Sequence, residues 1–391
     1  MRSRGVFLTC STIACCLALS IGLGTGALAS TRAGAAKNPY PKSLSGSFAF
    51  YSGGDVNIAQ LWQDVLIPSF ERAYPHVKIN YVLSEHGVDD ITTLDKVAVA
   101  VKDHRPSGYA LLESATNAVE LAARQGLFVP VTTKRIPNAV NVPTSEMSVV
   151  HNDAIPYRGS KVVLAYNSKT VTNPPKTLSE LISWIKAHPG QFAYCNPADG
   201  GSGQYFVEDV LDSHMPASAV STLAFSYQPS LESDWAQGFA ELHSLNSDVY
   251  GNGTYPTGNV QVLSLLASGA VQMATVWSDQ GTEGLRSGQL PGSIKLTDIT
   301  PAFGGSPVYL GVPKYTPKNQ VVLADAFLNF VLSVPQQAKV VQRIAGFPAV
   351  KLSLMTSTVK GEFNALGEAE NLPYSAQVGS DLNRLWQQNV P

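Results

Sequence analysis

Charge is scarce in this chain: Asp, Glu, Lys and Arg make up 14% of its 391 residues. That argues against a disordered chain held open by self-repulsion. The formal charge is −2 and no run of like charges forms a tail. A nucleic-acid partner needs a basic surface, so none is expected. Cysteine is nearly absent too. Cys10, Cys15 and Cys16 all precede residue 30, so a chain cut after Ala29 keeps Cys195 alone and forms no internal disulfide. The seven histidines are scattered, with no His-Glu-x-x-His pattern, which argues against a zinc site. No Walker-type loop occurs, and no cofactor is expected.

Apolar residues, at 44%, are enough for a packed core, and the length suits two or three domains. The N-terminus reads as a secretory signal peptide over residues 1–29. Arg2 and Arg4 are followed by an uncharged stretch from Val6 to Leu28 and by the small-x-small run Ala27-Leu28-Ala29. An uncleaved membrane anchor is the alternative, since the stretch is long enough to span. Lipidation at Cys15 or Cys16 is disfavoured, because Thr12-Ile13-Ala14 makes a poor lipobox. Cleavage leaves 25 basic and 29 acidic residues. Residues 30–44, with Pro39 and Pro41, read as a flexible leader.

Beyond the leader, strands and helices alternate. Ser47 to Tyr51 alternates as a strand, Ile58 to Ala73 has helical spacing with a kink expected at Pro68, and Val77 to Leu83 is β-rich. This is a βαβ unit, which implies a parallel sheet. Further strands are expected at 109–112, 161–166, 191–194 and 271–277. Further helices are expected at 117–125, 178–187, from about Tyr205, at 260–267 and at 323–334.

Five segments, in order, resemble the solute-binding proteins of ABC importers, in the branch that handles maltose, polyamines, thiamine and ferric iron. They are WQDVLIPSFERAYPHVKINY from Trp62, AIPYRGSKVVLAYNSKTVTNPPKT from Ala154, CNPADGGSGQYF from Cys195, GAVQMATVWSD from Gly269, and Gly311 to Ala338. The iron binders use adjacent tyrosines, and this chain has no Tyr-Tyr pair, so ferric iron is disfavoured. The resemblance implies an α/β, two-lobed type II periplasmic-binding-protein fold with a hinge and an interlobe cleft. Lobe one would be 45–157 plus 305–350, and lobe two 158–304 plus 351–391. It also implies a monomer that closes on a small-molecule solute and hands it to ABC permease membrane subunits.

Ligands of parallel sheets bind at strand C-terminal ends. That singles out Ser52, Gly53 and Asp55 after the first strand, Glu113 and Ser114 after the third, Ser202, Gly203 and Tyr205 in the Gly/Ser loop, and Trp277 and Asp279. Tyr157 and Tyr309, near the crossings, are candidate cleft walls. Each also has a plainer reading: Asp55 as a helix cap, Trp277 as core, the tyrosines as hinge packing. Trp277 beside Asp55, Glu113 and Asp279 suggests a cationic organic solute such as a polyamine or a thiamine-like compound. The glycine loops keep an anion open, and a sugar is a third possibility. An exported enzyme on the same scaffold would need a nucleophile and base that the sequence does not display. Gln204 spoils the nearest match, a Gly-x-Ser-x-Gly elbow. A solute sensor for a signalling partner is the remaining alternative.

Overall fold

The computed structural model describes residues 38–53, 56–84, 89–199, 201–364, 366 and 374–391. The expected signal peptide, most of the leader and Asp55 lie outside the described residues.

Nine strands are found among the described residues: β1 (Ser45–Ser52), β2 (His76–Leu83), β3 (Leu111–Ala115), β4 (Ala154–Asn167), β5 (Phe192–Ala193), β6 (Met273–Trp277), β7 (Ile294–Thr297), β8 (Gly305–Gly311) and β9 (Phe347–Pro348). They run in the order β2-β1-β3-β8-β4-β6-β5, with β7 and β9 also paired to β4. β1 is parallel to both β2 and β3, and β5 to β6, as βαβ connections require. β8 and β4 join these parallel sets antiparallel to their neighbours.

The pivot of the architecture is β4. Its 14 residues are buried almost throughout. The burial comes from two apolar runs, residues 154–157 and 162–166, that flank a polar middle of Arg158, Gly159, Ser160 and Lys161. Tyr157 belongs to a core built from Phe48, Phe50, Trp62, Phe70 and Phe327, whereas Val162 and Leu164 belong to a second core with Phe192, Phe206, Trp235 and Trp386. One strand thus feeds both large cores, with the change between Tyr157 and Val162, and two smaller ones, Ala154 packing with Tyr51 and Phe128 and Val163 and Ala165 with Val262 and Leu266. Each large side chain so buried contributes roughly 1.5–3 kcal/mol. The chain's end divides as well: Met355 and Phe363 pack in the first core, Val378, Leu382, Trp386 and Val390 in the second.

Several details differ from the sequence reading: β3 runs on to Ala115, so Glu113 and Ser114 lie in the strand rather than after it, and β4 begins at Ala154 rather than at 161. The first long helix does not simply kink at Pro68. Its middle, Leu61–Leu66, is a π-helix, followed by the helix Ile67–Ala73. Proline has no N–H to continue the i−4 ladder, and a widened turn just before it absorbs the mismatch. The helix expected from Tyr205 begins earlier, at Ser202, so Ser202 and Gly203 form its buried first turn rather than a loop.

Candidate functional site

The site is built where β1, β3 and β4 meet the helix that follows β6. Glu113 sits in β3 with 2% of its surface exposed, a costly place for a carboxylate unless donors surround it. They do. Ser52 Oγ and Trp62 Nε1 (2.8 Å) donate to its Oε2, and the Tyr157 hydroxyl donates to its Oε1. Burial, followed by the charge of Glu113, holds the Tyr157 hydroxyl well above its ordinary pKa, with the neighbouring guanidinium opposing. It therefore remains a donor.

A β-bulge brings in the next residue. The register of β4 against β8 slips between Pro156 and Arg158. In a regular strand, consecutive side chains point to opposite faces; the bulge instead lets Arg158 Nε donate to the Tyr157 hydroxyl at 2.9 Å. Arg158 Nη1 then lies 3.9 Å from Asp279 Oδ2. Asp279 is in the first turn of the helix Ser278–Ser287, the end at which a carboxylate is favoured. Its Oδ1 accepts from Ser160 Oγ (2.8 Å) and from the Gln280 N–H (2.9 Å). Burial raises its pKa, and Arg158 and Ser160 counter that rise. A continuous polar chain thus runs from Glu113, beside the first core, through Tyr157 and Arg158 to Asp279, beside the second.

Next to Asp279, two aromatic rings form a shelf. Trp277 ends β6 opposite Val162 of β4, and Tyr205 meets it edge to face with centroids 5.4 Å apart. Both rings rely on glycine. A Cβ on Gly201 would lie 3.1 Å from Trp277 Cζ2, and one on Gly304 would lie 2.0 Å from Tyr205 Cδ1. Gly201, at φ +82°, also needs the backbone freedom.

Ser52, Glu113, Tyr157 and Asp279 are therefore brought together, and Tyr205 with Trp277 beside them. Gly53 is half-buried just past β1. Ser114 is buried in β3 opposite Tyr309. Ser202 and Gly203 face inward: Ser202 Oγ donates to Asn259 Oδ1 at 2.7 Å, and the Gly203 N–H to Cys195 Sγ at 3.2 Å. Tyr309 is fully buried in a core with Tyr51, Leu112 and Phe128, and its hydroxyl donates to the Glu146 carbonyl at 2.8 Å. Sequence reasoning missed Arg158, Ser160 and the role of the Trp62 indole. The signal for Arg158 was a charge inside the apolar strand Ala154–Asn167. Two cavities lie elsewhere and touch none of the candidates: one of about 710 Å³ beside Pro68, Glu71 and Lys78, and one of about 550 Å³ lined by Thr177, Lys186, Asp209, Asp212 and Glu241.

Two cores sharing a crossing strand, with polar groups from both meeting at the crossing, describe the type II periplasmic-binding-protein fold. The profile of the family described as bacterial extracellular solute-binding protein matches residues 66–363, most of the chain. This chain belongs to that family of extracellular solute-binding proteins. Its structure is similar to three solved ones. The ABC transporter substrate-binding protein from Bradyrhizobium japonicum has a TM-score of 0.60 at 18% identity, covering 89% of this chain and 100% of that one. Apo ferric ion-binding protein A from Pasteurella haemolytica has a TM-score of 0.62 at 11% identity, covering 88% and 96%. The spermidine/putrescine ABC transporter substrate-binding protein from Streptococcus pneumoniae has a TM-score of 0.58 at 14% identity, covering 89% and 100%. No curated protein matches the sequence.

Proposed function

We propose that this protein is the solute receptor of an ABC importer, exported by residues 1–29 as a signal peptide and working as a monomer. Its two halves close on a small organic solute at the β4 crossing and present the closed form to the membrane permease. The observation that supports this is the polar chain from Glu113 to Asp279, which draws on both halves and lies beside the Trp277–Tyr205 shelf. In this reading Trp277 stacks on the solute and Tyr205 holds its ring in place. Ser52, Gly53, Glu113 and Tyr157 form the wall on the β1 side, backed by Ser114. Ser202 and Gly203 back the shelf on the other.

The neighbouring proteins name solutes as unlike as a polyamine and ferric ion, so no solute follows from likeness. Glu113 already holds three donors, which weakens the case for a purely cationic solute that rested on it.

A thermal-shift screen of the mature protein tests the reading. A solute at 100 times its Kd that binds only the folded state adds about 2.7 kcal/mol of stability. The expected result is a raised Tm for one chemical class, lost on Trp277→Ala. A folded protein unmoved by polyamines, thiamine compounds, sugars, amino acids and phosphates would overturn the receptor reading.

A further inference from the structure

Arg158 and Asp279 face each other with unused hydrogen-bonding capacity. A guanidinium carries five N–H donors. One of them, on Nε, goes to the Tyr157 hydroxyl. Neither Nη atom makes a hydrogen bond to a described residue; Asp279 Oδ2 lies 3.9 Å from Nη1, beyond hydrogen-bond range. On the acid, Oδ1 is taken by Ser160 and the Gln280 N–H, while Oδ2 has only that distant guanidinium. Both side chains are mostly buried, at 13% and 9% exposed, yet none of these three atoms is among the sealed, unpartnered polar atoms. The open donors and the open acceptor therefore keep some contact with solvent, and Asp279 stands two residues after Trp277.

Other charges nearby are committed. Glu113 already accepts three hydrogen bonds from its neighbours. Lys161, the next cation along β4, is fully buried and pairs with Asp298. A solute bearing only an anion would bind Arg158 but meet the field of Asp279 and Glu113. One bearing only a cation would bind Asp279 but face the guanidinium a few ångströms away. A solute with both groups satisfies both and adds no net charge to a mostly buried place, where unpaired charge is costly.

We propose that the site recognises a zwitterion: a small organic molecule whose carboxylate binds the Nη edge of Arg158 and whose ammonium group binds Asp279 Oδ2, its carbon skeleton lying against Trp277. This rests on the receptor reading above and names the class of solute for the same site.

Titration calorimetry tests it with glycine, β-alanine and 5-aminopentanoate as zwitterions of increasing charge separation. Pentanoate, pentylamine, putrescine and inorganic phosphate are the singly featured controls. The expected result is binding of one zwitterion, with pentanoate and pentylamine at least tenfold weaker. Arg158→Gln and Asp279→Asn should each weaken that zwitterion at least tenfold, and Arg158→Lys, which keeps the charge but loses the fork, should fall between. Circular dichroism and melting curves check folding. If Arg158→Gln does not fold, Arg158→Lys and Asp279→Asn carry the decision. Binding of putrescine or phosphate, or of a zwitterion indifferent to both variants, overturns the zwitterion proposal and leaves the receptor standing. If no probe binds and the broader screen is also silent, both fall.

Discussion

Glu208 gives the sharpest quantitative expectation. It lies in the helix Ser202–Asp212 and is 3% exposed. Its Oε1 accepts from Gln204 Nε2 at 2.7 Å, and no cation pairs with it among the described residues. Asp212 is one turn further along and itself accepts from the Tyr374 hydroxyl. Burial pushes the Glu208 carboxyl up to about 8 from its ordinary 4.5, the Gln204 and Tyr374 hydrogen bonds opposing and Asp212 adding to it. The folded state therefore holds this proton more tightly than the unfolded chain does. Between pH 4.5 and 8 folding takes up a proton, so stability falls as pH rises, by about 1.4 kcal/mol per pH unit. The rise from 4.5 to about 8 then corresponds to on the order of 5 kcal/mol lost by pH 8. Glu208→Gln removes the titration while keeping an acceptor for Gln204. Urea midpoints of both proteins, measured from pH 5 to 9, check it. The variant should overtake the wild type as pH rises, with the difference levelling off above about 8. Parallel curves would refute the reasoning.

Three further outcomes are expected. Trp62→Phe removes one of the three donors to buried Glu113 and should cost about 1–3 kcal/mol in chemical denaturation, with little change in the secondary-structure signal. Gly304→Ala would place a Cβ 2.0 Å from Tyr205 Cδ1, so the ring must move off Trp277; indole fluorescence should shift and solute affinity should fall. Tyr309→Phe should leave solute affinity unchanged while lowering stability by roughly 1 kcal/mol, because its hydroxyl serves the Glu146 carbonyl inside a core.

Most of the fold could be read from periodicity. The alternation in Ser47–Tyr51 and Val271–Trp277 and the helical spacing of Leu178–Ala187 all correspond to observed elements. Such patterns report which face of a segment is buried, and burial is a local consequence of the apolar spacing. Boundaries were less legible. Ser202 and Gly203 read as a loop before the helix because Gly and Ser usually break elements, but here Gly203 lets the helix pack within contact of the Cys195 carbonyl.

The candidate site was legible as a set of positions and not as a set of partners. Strand ends named Ser52, Glu113, Trp277 and Asp279 because strand C-termini gather loops on one side of a sheet. What each one touches depends on residues far away in the chain. Tyr157 reaches Glu113 across 44 positions, and Ser160 reaches Asp279 across 119. The sequence by itself determined the alternating α/β elements, the crossing strand from Lys161 onward and the family. Only the tertiary structure decided that a bulge at Tyr157 turns Arg158 toward Asp279, that Glu113 is spent on its neighbours, and that Tyr309 is core. Spacing along a chain encodes burial, whereas hydrogen-bond partners are set by the register and packing of segments that only folding brings together.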